Sequence, residues 1–265
     1  MSALPLARQD LHDRSRSLLG WGTGIMAYAG LMIALYPSVR DSEAVAAAVE
    51  DYPDVLQEFL GGAGALDLTS GPGFLQAEVF GLVLPLLLTV AAIGIGARFA
   101  SDQRSGLLDL VMANPVRRRQ VVGERALVLV AIVVLLTACA GLVIAVFSTP
   151  VDLSIGGVEL LAALVSTAVL ASFHGAVALL VAARTGDRGL AITAAAVVFT
   201  IGYVVAGLGG IIDWLEPGRQ VSPHHLTVGA LPLRDGFELG VLGVAGATAA
   251  LIWLALDAFD RRDLL

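Results

Sequence analysis

Lysine is missing altogether: all 16 basic residues are arginine. That excludes a P-loop, whose lysine reaches the nucleotide phosphates, and a Schiff-base enzyme, which needs a lysine amine. Charge of either sign is scarce, at 15% of residues against 57% hydrophobic, and the mean hydropathy is +0.84. A water-soluble domain of this length needs more polar surface. Cysteine occurs once, as Cys139 inside an apolar run, which rules out an intrachain disulfide and a cysteine-based metal cluster. No Gly-x-Ser-x-Gly element occurs, and no pair of aspartates falls inside an apolar stretch. Ser172 and His174 are two residues apart on one helix and face different directions. They do not form a nucleophile–base pair, and an enzyme is not expected.

What is abundant is apolar sequence in long runs. A bilayer core of about 30 Å needs about 20 apolar residues in helical form. Six stretches approach or exceed that length, at 18–36, 77–97, 126–147, 159–183, 189–212 and 238–257. The expected fold is therefore all-α: a polytopic membrane protein of six transmembrane helices, organised as one domain over 1–265. Residues 3–16 place Leu4, Ala7 and Leu11 at helical spacing among charged neighbours, the pattern of an amphipathic helix lying on the membrane surface. The first apolar run lacks a small-residue cleavage pattern and reads as a retained span. Pro37 is expected to end that span, and Pro85 to kink the next one.

The connections differ in character. Residues 38–75 are acidic and hold two short helical patterns separated by Pro53. Residues 213–236, with Pro217, Pro223 and Pro232, read as an irregular or re-entrant segment. The fourth and fifth spans are joined only by the five residues Arg184–Arg188. With both termini in the cytoplasm of a plasma-membrane protein, 13 arginines fall inside and three outside: Arg40, Arg219 and Arg234. The 23 acidic residues divide as 9 inside and 14 outside, giving net charges of +4 and −11. The arginine asymmetry fixes the expected orientation.

The connection between the second and third spans carries the most information. From residue 101 it reads Ser-Asp-Gln-Arg-Ser-Gly-Leu-Leu-Asp-Leu-Val-Met-Ala-Asn-Pro-Val-Arg-Arg-Arg-Gln. Leu107, Leu108, Val111 and Met112 share one helical face, and Asn114-Pro115 breaks the helix. A short helix with one apolar face between charged flanks suits docking to a soluble partner, helix into groove. The competing reading is an ordinary positive-inside anchor.

The pattern acid-x-x-x-Gly-Leu-Leu-Asp-Leu-x-x-x-x-Pro-Val-x-Arg, here Asp102 through Arg118, resembles the segment between the second and third spans of type-2 ABC exporter permeases. The approach to the first span, Arg16–Trp21, and the ending Phe259–Asp263 are similar too. Many relatives carry Glu and Thr where this chain has Asp102 and Leu107, both conservative changes. The resemblance implies a permease that pairs with a second permease, a copy of itself or a sister chain, in the lipid bilayer. Two separate ABC ATPase subunits would dock on the segment around Asp102, Arg104, Gly106, Leu107, Leu108, Asp109, Met112, Pro115, Arg117 and Arg118. ATP and magnesium would be bound by those partners, with no cofactor in this chain and no nucleic acid involved. A non-transporting membrane scaffold or immunity-type protein fits the composition as well; a secondary carrier is the other alternative, and the scarcity of acids inside the spans favours an externally energised pump over it.

Of the acidic, arginine and histidine residues, only His174 lies inside a span far from either end. It is a candidate pathway residue or an interhelical hydrogen-bonding group. Adjacent His224 and His225 point in different directions on most backbones, and no nearby cysteine completes a zinc set, so no metal is expected. Gly20-x-x-x-Gly24 and the Gly202–Gly207 stretch read as helix-packing surfaces.

Overall fold

The protein is described by a computed structural model in which residues 15–43, 67–104 and 118–261 are placed. Residues 3–14 of the expected surface helix, the helical patterns of 44–66 and most of the segment expected to dock a partner lie outside those residues, while Ser15 and Arg16 already belong to the first long helix. Among the described residues nine α-helices follow in order: α1 Ser15–Arg40, α2 Gly71–Leu75, α3 Val83–Arg104, α4 Arg118–Ser148, α5 Gly157–Thr185, α6 Arg188–Leu208, α7 Glu216–Val221, α8 Pro232–Asp235 and α9 Leu239–Asp260. No strand occurs among the described residues. Among the described residues six helical units are long and apolar enough to cross a membrane. Helices satisfy every backbone donor and acceptor internally, which is what a hydrocarbon solvent demands.

The spans run where the hydropathy placed them, with two corrections. Pro37 does not end the first span but sits inside α1, whose last turn closes through Asp41 N–H to the Pro37 carbonyl at 3.2 Å. So near the end, the missing proline N–H costs one ladder bond and the helix finishes its turn. The second span begins earlier than Ala77, at α2, where the Ser70 hydroxyl accepts from Gly73 N–H and Pro72 occupies the first turn. It then passes through one π-helical turn, Gln76–Phe80, and a bend at Gly81-Leu82 before α3 starts. Pro85 lies in the first turn of α3, so the interruption falls before it. A proline at 85 supplies no N–H to the carbonyl four residues back, that of Gly81, and the regular ladder resumes with Leu86 N–H to Leu82 at 2.8 Å.

The α5–α6 hinge follows from its five residues. Gly186 takes φ 65° and caps α5 through its N–H to Ala182, a left-handed position that costs glycine nothing. Asp187 then caps α6 by accepting from Leu190 N–H at 2.9 Å.

Helix α5 is the hub, packed against α3, α4, α6, α8 and α9, while α1 rests mainly on α4. The α3–α5 contact is close because both helices present glycine there. A Cβ on Gly96 would stand 2.3 Å from the Gly175 carbonyl, and one on Gly175 would stand 3.0 Å from Ala92 Cβ. Small residues let backbones approach, and dispersion then replaces the hydrophobic drive that lipid does not supply. By contrast, Gly20 and Gly24 meet nothing within 4 Å, so the expected packing surface on α1 has no partner among the described residues. Gly202 does pack, beneath Ser222, whose hydroxyl donates to its carbonyl at 2.7 Å. Leu31, Leu135, Leu142, Ile201, Leu242 and Trp253 point outward from the bundle, as expected of a lipid-facing surface.

Candidate functional site

Two regions of the bundle gather polar side chains, one at each end of α3. At the α3–α4 end, Asp102 closes α3 and lies 2.6 Å from Arg125 of α4, with both side chains largely buried. Arg119, near the start of α4, pairs with Asp260 of α9 at 2.9 Å. Between them Phe99 and Phe259 meet edge to face, 5.1 Å between ring centres, and both are fully buried. Gln120 donates to the buried Glu124 at 3.0 Å. These contacts join the last turn of α3, the first turns of α4 and the last turn of α9 into one frame. The segment 105–117 leaves that frame and returns to it.

The frame bears on the residues expected to dock a partner. Asp102 faces inward to Arg125, so its side chain anchors the segment to the bundle. Arg104 ends α3 and Arg118 begins α4. Gly106, Leu107, Leu108, Asp109, Met112, Pro115 and Arg117 lie outside the described residues. Sequence reasoning missed the partners of the frame, Arg125 and Asp260. Arg125 lies seven residues past Arg118, two turns inside α4, where it appears as one more positive-inside arginine.

At the opposite end, the 213–236 segment folds back over the π-turn. Thr227 is buried and donates from its hydroxyl to the Pro223 carbonyl at 2.7 Å. This closes a turn that carries His224 inward and leaves His225 half-buried, near Glu216 and Arg219. Burial pushes His225 below the usual histidine range and Arg219 adds to that, with Glu216 opposing. The His224 ring reaches the Gly81 backbone, the carbonyl that Pro85 leaves without its helical donor. It also stands edge-on to Tyr203 of α6, 5.0 Å between centres.

The candidate pathway residue joins the same cluster. His174 is buried on α5, its Nδ1 2.8 Å from the Leu170 carbonyl. Phe199 of α6 stands between the two imidazoles, 5.2 Å from His174 and 6.4 Å from His224. Sequence reading treated these histidines as unrelated because fifty residues separate them. The signal available was the aromatic pair Phe199 and Tyr203, one turn apart on α6, facing α5 on one side and the folded-back loop on the other. Among the described residues no group of three or more His, Cys, Asp or Glu side chains converges on a metal position.

Among the described residues, six helices long and apolar enough to cross a bilayer, tied at one end by charged pairs and covered at the other by a folded-back loop, define a polytopic membrane protein. The family model described as multidrug efflux system permease Rv1217c, C-terminal domain, matches residues 11–260. The chain belongs to that family: it is a multi-pass membrane permease. No curated protein matches it.

Proposed function

We propose that this chain is the membrane-spanning subunit of an ATP-driven exporter of the type-2 ABC class. In this reading an ATPase docks on segment 102–118 from the cytoplasm, where both termini also lie. ATP and magnesium are bound by that partner, in keeping with a chain that has no lysine for a P-loop. A second permease, a copy or a sister chain, completes the path, and two ATPases serve the pair. The observation that carries the reading is the permease-family match across 11–260, which takes in the whole docking segment.

The frame at the α3–α4 end supplies a means of coupling. A force on segment 105–117 passes to α3, α4 and α9 together, because Asp102–Arg125, Arg119–Asp260 and Phe99–Phe259 tie their ends. Helix α3 carries the displacement to the π-turn at its other end, where the backbone ladder is already interrupted.

The test is purification from native membranes with mass spectrometry of what co-elutes. A P-loop ATPase is expected with the unaltered chain and is lost from the variant carrying Leu108→Asp and Met112→Asp, while the variant still inserts. An ATPase that stays bound to that variant places docking elsewhere. A permease that brings down no ATPase removes the reading.

A further inference from the structure

A cavity of about 300 Å³ opens beside α3 at the α3–α4 end, between the start of α1, the middle of α4 and the start of α6. Two guanidinium groups line it: Arg98, six residues before the end of α3, and Arg188, the first residue of α6. Both are exposed. Arg119, Arg125 and Arg261 at the same end pair with aspartates, whereas Arg98 and Arg188 meet no carboxylate among the described residues. No acidic residue lines the cavity among those residues either.

The rest of the wall is apolar, with Leu18 and Trp21 of α1, the half-exposed Val90 of α3 and Leu136 of α4. A second cavity of about 420 Å³ shares Ser17 and Trp21 with the first and continues along α1, past Gly20 and Gly24, to Leu87 of α3. A Cβ on Gly20, Gly24 or Gly94 would meet nothing within 4 Å, so the missing side chains keep this groove open. Its charged mouth and its apolar floor are eleven residues apart on α3, from Arg98 to Leu87. That is about 16 Å of helix, close to the 15 Å or so of one leaflet of a bilayer core.

Two like charges at one mouth repel each other unless an anion lies between them. Guanidinium groups match phosphate oxygens in pairs of charge-assisted hydrogen bonds. A zwitterionic head group balances its own phosphate, whereas an anionic one leaves a net charge for the arginines to neutralise. Trp21 suits the same level, because indole favours the boundary between head groups and chains. We infer that this groove holds an anionic phospholipid of the leaflet at the α3–α4 end, its phosphate between Arg98 and Arg188 and an acyl chain along α1 and α3. The inference needs the six spans and no ATPase; the orientation proposed above makes that leaflet the cytoplasmic one.

The test reads Trp21 fluorescence in the full chain carrying Trp214→Phe and Trp253→Phe, two exposed positions, which leaves Trp21 as the one tryptophan. The protein is placed in phosphatidylcholine nanodiscs with a minor share of chain-brominated phosphatidylglycerol, or the same share of chain-brominated phosphatidylcholine. Bromine quenches only an adjacent indole, so the two lipids compare occupancy of the groove. The anionic lipid is expected to be enriched at Trp21 about tenfold or more over the neutral one. Arg98→Gln and Arg188→Gln, each at an exposed position, are expected to lower the enrichment about fivefold apiece and together to remove it. Arg184→Gln, at the same end but outside the groove, should leave it unchanged. Equal quenching by the two lipids overturns the inference, as does an enrichment that survives the double substitution. An enrichment lost equally in Arg184→Gln overturns it too, since the general charge of that end is then responsible. Quenching by neither lipid means that a second copy or the chain's own first residues cover the groove, and this also overturns the lipid site.

Discussion

The two ends of α3 are built on opposite principles. At the α3–α4 end, charged side chains reach across helices: Asp102 to Arg125, Arg119 to Asp260 and, at 4.0 Å, to Asp257. At the α6–α9 end, the ion pairs Arg40–Asp41 and Arg234–Asp235 join sequence neighbours and tie no two helices. Contacts between elements there include hydrogen bonds to backbone carbonyls and ring contacts: Ser222 to Gly202, Gln76 to Val228, His224 against Tyr203. Non-glycine residues in the left-handed region, Asp152, Ser154 and Leu231, all lie at this end as well. One end is tied across helices by charged side chains; the other is assembled from irregular backbone around a cavity. In the proposed coupling, the tied end would take the push of the ATPase and the irregular end would yield to it.

Substitutions can break that contrast at graded strengths. Arg125→Met leaves Asp102 facing a hydrophobic side chain and is expected to cost the largest amount, about 3 kcal/mol. Adding Asp102→Asn should recover most of it. Thermal unfolding of the detergent-solubilised proteins reads both; a double variant no better than the single one would mean that the pair is not the tie. Next in size is Gly96→Ala, which pushes a methyl group into the Gly175 backbone in the stretch of α3 that links the two ends. About 2 kcal/mol is expected, in the same assay. An unchanged midpoint would show that α3 and α5 slide freely.

Smaller effects sharpen the contrast. Arg119→Ala removes an exposed pair and should lower stability by less than about 1 kcal/mol. Its larger signature should be weaker ATPase stimulation once the partner is added, because the frame loses its hold on α9. At the far end, Asp67 accepts from the Thr69 and Ser70 hydrogen-bond donors before α2. The Thr69 hydroxyl, helped by Ser70, holds its carboxyl below the usual range against the opposing effect of burial. That contribution is present above the unfolded value near pH 4 and is lost as pH falls through the lower folded value. The unfolding midpoint should therefore drop slightly more steeply with acid in the unaltered chain than in Asp67→Asn. Parallel pH profiles would remove the role of this cap.

Long-range hydropathy made the six spans legible, because crossing a bilayer sets length and composition together. The α5–α6 hinge was legible too, through a glycine and an aspartate that each satisfy a helix end. The break in the second span was only half legible. Pro85 announced a disturbance, yet the disturbance lies at Gln76–Leu82, where the unsupplied Gly81 carbonyl sits. Nor did sequence spacing point to Gly96 and Gly175 as the close contact, since Gly20 and Gly24 carry the more familiar spacing but meet no neighbour. At the candidate sites, Asp102 stood out by its motif while Arg125 did not, and His174 and His224 became neighbours only through the fold.

The most direct measurement of the central claim is a cross-link. In a Cys139→Ser background, which removes the chain's one native cysteine, Leu108→Cys is treated in native membranes with a short cysteine-to-lysine reagent. The permease has no lysine side chain to cross-link internally, so a product mapped to a lysine by mass spectrometry reports a partner. A product joining this chain to a P-loop ATPase is expected from Leu108→Cys and not from Ser154→Cys at the other end. An ATPase that co-purifies yet forms no product at Leu108, or forms it equally at Ser154, would contradict docking on the α3–α4 segment.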